Sequence, residues 1–258
     1  MSDSFTPTEM MTVAASRALK SSDVCFVGIG MPSAACNLAR LTHAPGITLI
    51  YESGTIATKP AILPLSIGDG ELCDTALTTV SVPEMFRYWL QGGRMTVGFL
   101  GGAQIDRYAN LNTTVVGSYD KPKVRLPGGG GAPEIAIACG EIFIIMPHGR
   151  RGFVQKLDFV TSLGHGEGGD HRARLGVATK GPTRLITDLC IFEPDPLTKE
   201  MTVVSIHPGV ARDHIAANTG WHVKYAADIA TTSAPSAEEL MVLRELHART
   251  RRAHGDQA

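Results

Sequence analysis

The chain has 258 residues, 43% hydrophobic and 19% charged, with a formal net charge of −1 at pH 7. It is long enough to bury a large core, and its balanced charge favours neither nucleic acid nor an anionic membrane as partner. Stretch 1–8 is polar and no apolar run approaches bilayer length, so neither a signal peptide nor a membrane span is expected.

The first helix is announced by Thr6-Pro7-Thr8-Glu9, a capping box with proline in the first turn, and runs from Met10 to Lys20. Asp23 to Val27 reads as a strand ending in Gly28-Ile29-Gly30, followed by a helix from Pro32 to Leu41. Ile47 to Tyr51 is a second strand, β-branched and aliphatic, between Pro45-Gly46 and Ser53-Gly54. Strand, helix, strand at this spacing makes a βαβ unit and hence a parallel sheet. Ser81-Val82-Pro83-Glu84 repeats the capping box before a helix whose Met85, Phe86, Tyr88, Trp89 and Leu90 read as core, ending at Gly92-Gly93. Met95 to Leu100 and Glu141 to Met146 are further buried strands. Pro182 to Pro208 alternates and turns at Pro194-Asp195-Pro196, an antiparallel hairpin. The last helix starts at Ser236-x-x-Glu239 and carries Leu240, Leu243 and Leu246 on one face. With no repeat and no linker, residues 1–258 are expected to form a single α/β domain: an open, mainly parallel sheet flanked by helices, with an antiparallel hairpin.

Three features carry chemistry. Glu52 stands at the carboxyl end of a strand, where open α/β sheets place their ligands. The blander alternative is an exposed loop acid that pairs with nothing. Gly128 to Gly131 precede Ala132-Pro133-Glu134, a helix start, and their bare backbone can offer N–H donors to an oxyanion; a hinge is the plainer alternative. A carboxylate nucleophile with a glycine-built oxyanion site points to acyl transfer. Gly28-x-Gly30 invites a dinucleotide reading, but Ser33 stands where the fingerprint needs its third glycine. A tight strand-to-helix turn, or a loop touching an anionic part of a ligand, fits it better.

The five cysteines Cys25, Cys36, Cys73, Cys139 and Cys190 lack C-x-x-C spacing, against a disulfide framework or zinc site and for a reducing cytoplasm. The run Gly164-His165-Gly166-Glu167-Gly168-Gly169-Asp170-His171 is rich in ligand types, but its glycines make a floppy cage, so no metal is expected.

Tyr51-Glu52-Ser53-Gly54, Gly101-Gly102-Ala103-Gln104 with Asn110 and Asn112-Thr113-Thr114, and Gly128-Gly129-Gly130-Gly131-Ala132 together resemble the β-subunits of class I CoA-transferases. The resemblance spans about residues 8 to 250 and is strongest to the glutaconate-CoA-transferase branch; Leu65 to Leu72 and Gly164 to His171 are most similar to members acting on 3-oxoadipate. It implies the CoA-transferase fold and a cytoplasmic enzyme that needs a CoA-transferase α-subunit, in a heterodimer or A2B2-type assembly, with the active site at their junction. Acyl-CoA and dicarboxylic acids are then its substrates, with CoA passing from succinyl-CoA to 3-oxoadipate or a similar acid. No separate cofactor is implied, since coenzyme A enters as substrate. Glu52 matches the catalytic glutamate, Gly130 and Gly131 the glycine pair of the oxyanion hole, and Gln104 a pocket residue beside the glutamate. Gly28, Gly30, Gly128 and Gly129 are expected to border CoA or substrate. Gly129 and Pro133 depart from the usual pattern of such loops. An acyl-CoA or ring-opening hydrolase on the same scaffold is the alternative, disfavoured by the intact Glu52-Ser53-Gly54; a non-catalytic CoA-binding protein is a third reading.

Overall fold

A computed structural model describes residues 4–255, so the first three residues of the polar amino-terminal stretch lie outside it. The chain divides into two compact units, one made of residues up to Phe99 together with those from Ala234 onward, the other of Leu100–Ser233.

In the first unit the Val24–Val27 strand pairs in parallel with Thr48–Tyr51 on one side and Val97–Leu100 on the other. Two short strands, Thr55–Ile56 and Thr78–Thr79, extend the sheet in antiparallel fashion. The βαβ expectation holds: the Met31–Leu41 helix connects the first two parallel strands. The capping box at Thr6 forms in full and starts the Pro7–Arg17 helix; the one at Ser236 starts Ala237–His254. These helices bury Val13, Ala34, Leu38, Leu243 and Leu246 in one cluster with Leu63, each large aliphatic contributing about 2 kcal/mol. Arg17 closes on Glu239 and Arg244 on Glu9, so the first and last helices are also stitched by charge.

The helix after Ser81 differs from expectation. Ser81 Oγ accepts from the Glu84 N–H, but the reciprocal half of the box is not made, and Val82–Glu84 passes into a π-helical turn, Met85–Leu90. The wider turn buries Met85 and Leu90 and rotates Tyr88 out to 60% exposure, so Tyr88 is not core.

In the second unit Glu141–Ile145 and Pro182–Ile186 run parallel, followed by Cys190–Pro194 and Met201–Ile206, each antiparallel to its predecessor. Lys224–Thr231 then returns parallel to Met201–Ile206. The expected single hairpin is therefore a three-stranded meander. Its first turn carries neither glycine nor proline: Thr187 Oγ1 accepts the N–H groups of Leu189 and Cys190. Two small hairpins, Gln104–Ile105 with Leu111–Asn112 and Val115–Gly117 with Pro122–Arg125, precede the Ala132–Ala138 helix. The mainly parallel sheet with flanking helices and antiparallel hairpins is the expected fold class. No described helix is long and apolar enough to cross a membrane.

Candidate active site

The first unit holds Glu52, Gly28 and Gly30; the second holds Gln104 and Gly128 to Gly131. In the first, the strands fix where the carboxylate emerges. Val27 is the register partner of Tyr51, so Gly28 and Glu52 leave the sheet side by side, each one residue past that pair. Tyr51 is fully buried and its hydroxyl is 2.6 Å from Ser33 Oγ, with Asn37 Nδ2 at 3.4 Å; burial pushes its pKa well up. The residue before Glu52 is therefore pinned to the Met31–Leu41 helix.

Tyr51 to Gly54 form a tight turn closed by the Gly54 N–H on the Tyr51 carbonyl at 2.9 Å. Gly54 has φ +104°, and a Cβ there would collide with the Val80 carbonyl oxygen. That close approach is the physical reason for glycine two residues after the glutamate. Glu52 is half-buried at the turn, and among the described residues of its unit no hydrogen bond or ion pair reaches its carboxylate. Desolvation accordingly raises its pKa. Ser53 Oγ and Thr55 Oγ1 are also buried without a hydrogen-bond partner among the described residues. Such orphans cost about 1–3 kcal/mol each, a strain of the kind found where a ligand or another surface completes the site.

Gly30 sits at φ +77° ahead of the Met31–Leu41 helix, whereas a Cβ on Gly28 would make only ordinary contact with Pro32 Cγ at 3.6 Å. Gly30 borders a cavity of about 330 Å³ with Ile29, Leu63, Leu65, His247 and Arg251.

In the second unit Gln104 and the glycine loop are joined by a hydrogen-bond relay. Gln104 Oε1 accepts from Asn112 Nδ2 at 2.7 Å and from the Asp158 N–H at 3.2 Å, while its Nε2 donates to Asp158 Oδ2 at 2.8 Å. Hydrogen bonds from the Gly117 backbone and the Gln104 amide hold the Asp158 carboxyl below the usual range. Asn112, fully buried, turns the chain by accepting the N–H groups of Thr114 and Val115 on Oδ1. Thr113 then grips the loop twice: its carbonyl accepts the Gly128 N–H at 2.8 Å and its hydroxyl donates to the Gly128 carbonyl at 2.7 Å.

Beyond that anchor the Gly129, Gly130 and Gly131 N–H groups have no partner among the described residues of the unit, while Ala132 N–H turns back onto the Gly129 carbonyl. Gly130 adopts φ +50°. Successive unpaired N–H groups on a backbone of this shape can surround an anionic oxygen. Gly129 and Pro133 pack on each other: a Cβ at 129 would meet Pro133 Cγ at 3.2 Å. The hinge alternative does not describe a loop fixed in this way.

His165 and His171 are used inside the fold. His165 Nε2 lies 2.7 Å from the Pro182 carbonyl, with burial pushing its pKa down to about 4, and His171 Nδ1 accepts the Glu167 N–H. Among the described residues no three His, Cys, Asp or Glu side chains are grouped to hold a metal ion. Thr113, Asp158 and Tyr51 hold the backbone around these residues; Tyr51 and Thr113 stood inside the quoted motifs without an assigned role, and Asp158 in none of them.

Known proteins match over most of the chain. The family described as Coenzyme A transferase matches residues 8–218. The B subunit of 3-oxoadipate CoA-transferase from Pseudomonas knackmussii is 60% identical over 253 residues, 98% of this chain and 97% of its own. The B subunit of glutaconate CoA-transferase from Acidaminococcus fermentans is 34% identical over 93% of this chain and 92% of its own. The crystal structure of glutaconate coenzyme A-transferase from Acidaminococcus fermentans superposes with a TM-score of 0.87 at 32% identity, covering 93% of this chain and 94% of that one. This chain belongs to the coenzyme A transferase family.

Proposed function

We propose that this chain is the β-subunit of a two-subunit transferase that moves CoA from succinyl-CoA to 3-oxoadipate, with Glu52 as the covalent carrier. The observation that carries this reading is the 60% identity, over 98% of the chain, to a relative named for 3-oxoadipate CoA transfer. The partly desolvated Glu52 and the open glycine N–H groups support this reading, and the orphaned hydroxyls beside Glu52 suit a turn that another surface completes.

The ionised Glu52 carboxylate attacks the thioester carbonyl of succinyl-CoA; the C–S bond breaks and CoA leaves as thiolate, giving a succinyl-glutamyl anhydride. The thiolate then attacks the glutamyl carbonyl, succinate leaves as carboxylate, and Glu52 holds CoA as a thioester. A carboxylate of 3-oxoadipate attacks that thioester, and the released thiolate takes the new acyl group, restoring Glu52. No proton is gained or lost over the cycle.

Displacing a thiolate of pKa near 8.5 by a carboxylate near 4.3 costs about 6 kcal/mol. One oxyanion donor supplies about 3 kcal/mol. Raising the Glu52 pKa narrows the mismatch from the nucleophile's side, and binding energy of the long CoA moiety supplies the remainder. An anhydride also needs water excluded. The partner, an α-subunit in a heterodimer or A2B2-type assembly, provides that cover.

Reconstituting the pair and assaying it against a panel of dicarboxylic acids with succinyl-CoA as donor tests the reading. 3-Oxoadipate should give the highest kcat/KM. A preference for glutaconate would place the chain with that branch, and hydrolysis without transfer would overturn the proposal.

A further inference from the structure

The Gly164-to-His171 run and the arginine that follows it are left unexplained by the proposed chemistry. Arg172 is 6% exposed and makes no ion pair among the described residues of its unit. Its guanidinium is spent on backbone and one hydroxyl: Nη1 donates to the Gly164 carbonyl at 2.8 Å and the Leu163 carbonyl at 3.4 Å, and Nε to the Thr179 carbonyl at 3.4 Å. Nη2 donates to the Ala136 carbonyl at 3.1 Å and to Thr179 Oγ1 at 2.8 Å; that hydroxyl donates onward to the Ile137 carbonyl at 2.8 Å. Gly181 makes room for it, since a Cβ there would lie 2.8 Å from Arg172 Cζ.

Burying a cation without a carboxylate is costly, and stability alone is a poor reason for it. What the cation grips is the carboxyl end of the Ala132–Ala138 helix, whose amino end is the glycine loop. That helix buries only Ile135 and Ala136, too little apolar surface to hold it firmly. Its two ends are instead tied by polar contacts, to Thr113 at Gly128 and to Arg172 and Thr179 at Ala136 and Ile137. The same Gly164-to-His171 run is tied to the segment after Gln104: Asn110 Oδ1 accepts the N–H groups of Gly164 and Gly166, and Asn110 Nδ2 donates to the Gly166 carbonyl.

We propose that Arg172 and Thr179 are positioning residues that clamp the Ala132–Ala138 helix so that the Gly129-to-Gly131 N–H groups stay aimed for catalysis. The catalytic half of this rests on the reading of the glycine loop as oxyanion site. Lysine cannot replace the fork, having three rotatable donors where five planar ones are in use.

The test compares wild type with Thr179→Val, which removes one hydroxyl at nearly constant volume, Thr179→Ser, which restores it, and Arg172→Lys, each assembled into the complete enzyme. Amide hydrogen exchange in a peptide covering 128–139 should speed up about tenfold or more in Thr179→Val and Arg172→Lys. Exchange in strand 141–145 should stay unchanged. The kcat should fall about tenfold with the KM for succinyl-CoA within about twofold, the signature of an interaction used in the transition state. Thr179→Ser should behave as wild type. Unchanged exchange at 128–139 overturns the clamp, and changed exchange with wild-type kcat overturns its catalytic role. Activity that survives Glu52→Gln would contradict the transferase reading instead, and the exchange result would still decide whether the clamp exists.

Discussion

The Glu52 turn and the glycine loop leave opposite kinds of polar group unsatisfied. At Glu52 the backbone is fixed by Tyr51 behind it and Gly54 after it, while the polar side chains of the turn are left wanting: the carboxylate is partly desolvated, and Ser53 and Thr55 keep hydroxyls with no partner among the described residues. At the glycine loop the supporting side chains Gln104, Asn112 and Thr113 are satisfied, and it is the backbone N–H groups that find no partner among the described residues. A nucleophile gains reactivity from poor solvation, whereas an oxyanion site gains it from donors that do not have to move. On the proposed mechanism, each region leaves unsatisfied the groups that its step would use.

Glu52→Gln should have the largest effect. With the fold and assembly kept, transfer should drop by more than about a thousandfold, since an amide cannot form the anhydride; steady-state kinetics within tenfold of wild type would remove Glu52 from the mechanism. Gly54→Ala comes next. The new methyl group meets the Val80 carbonyl in a residue held at positive φ, so we expect a loss of about 3 kcal/mol in denaturant unfolding, and a variant as stable as wild type would show that the turn is not tightly determined. Thr113→Val should sharpen the other half: losing the hydroxyl on the Gly128 carbonyl should lower kcat about tenfold with little change in KM.

The smallest effect separates reactivity from stability. The folded pKa of Glu52 is raised, so the folded state binds its proton more tightly than the unfolded chain does. Ionisation at neutral pH therefore works against folding, and the penalty appears as pH rises above the unfolded value. Two outcomes follow: the acid limb of the pH–rate profile lies above that of an ordinary carboxylate, and Glu52→Gln melts at the same or a slightly higher temperature than wild type at pH 7. A lower melting temperature would mean that the carboxylate has a stabilising partner.

Much of this architecture is legible in the sequence because it rests on local rules. The capping boxes at Thr6 and Ser236, the βαβ unit and the position of Glu52 at a strand end follow from residue types at fixed spacings. The turn at Thr187 is not, because a threonine hydroxyl replaces the usual glycine or proline. Nor is the exposure of Tyr88, since one π-turn shifts every later side chain around the helix. The partners that hold the candidate site are the least readable. Asp158 lies 54 residues from Gln104 and Arg172 lies 36 from Ala136, and nothing in a local pattern reports a contact that only the folded chain creates.

A trapping measurement decides whether Glu52 carries CoA. The complete enzyme is incubated with succinyl-CoA and no acceptor, then treated with borohydride, which reduces a thioester and leaves a free carboxylate alone. Activity should be lost only when succinyl-CoA was present, and peptide mass analysis between Ile50 and Lys59 should find Glu52 converted to the corresponding alcohol. Inactivation with Glu52 unchanged would place the nucleophile elsewhere, and full resistance during confirmed turnover would contradict a covalent glutamyl-CoA intermediate.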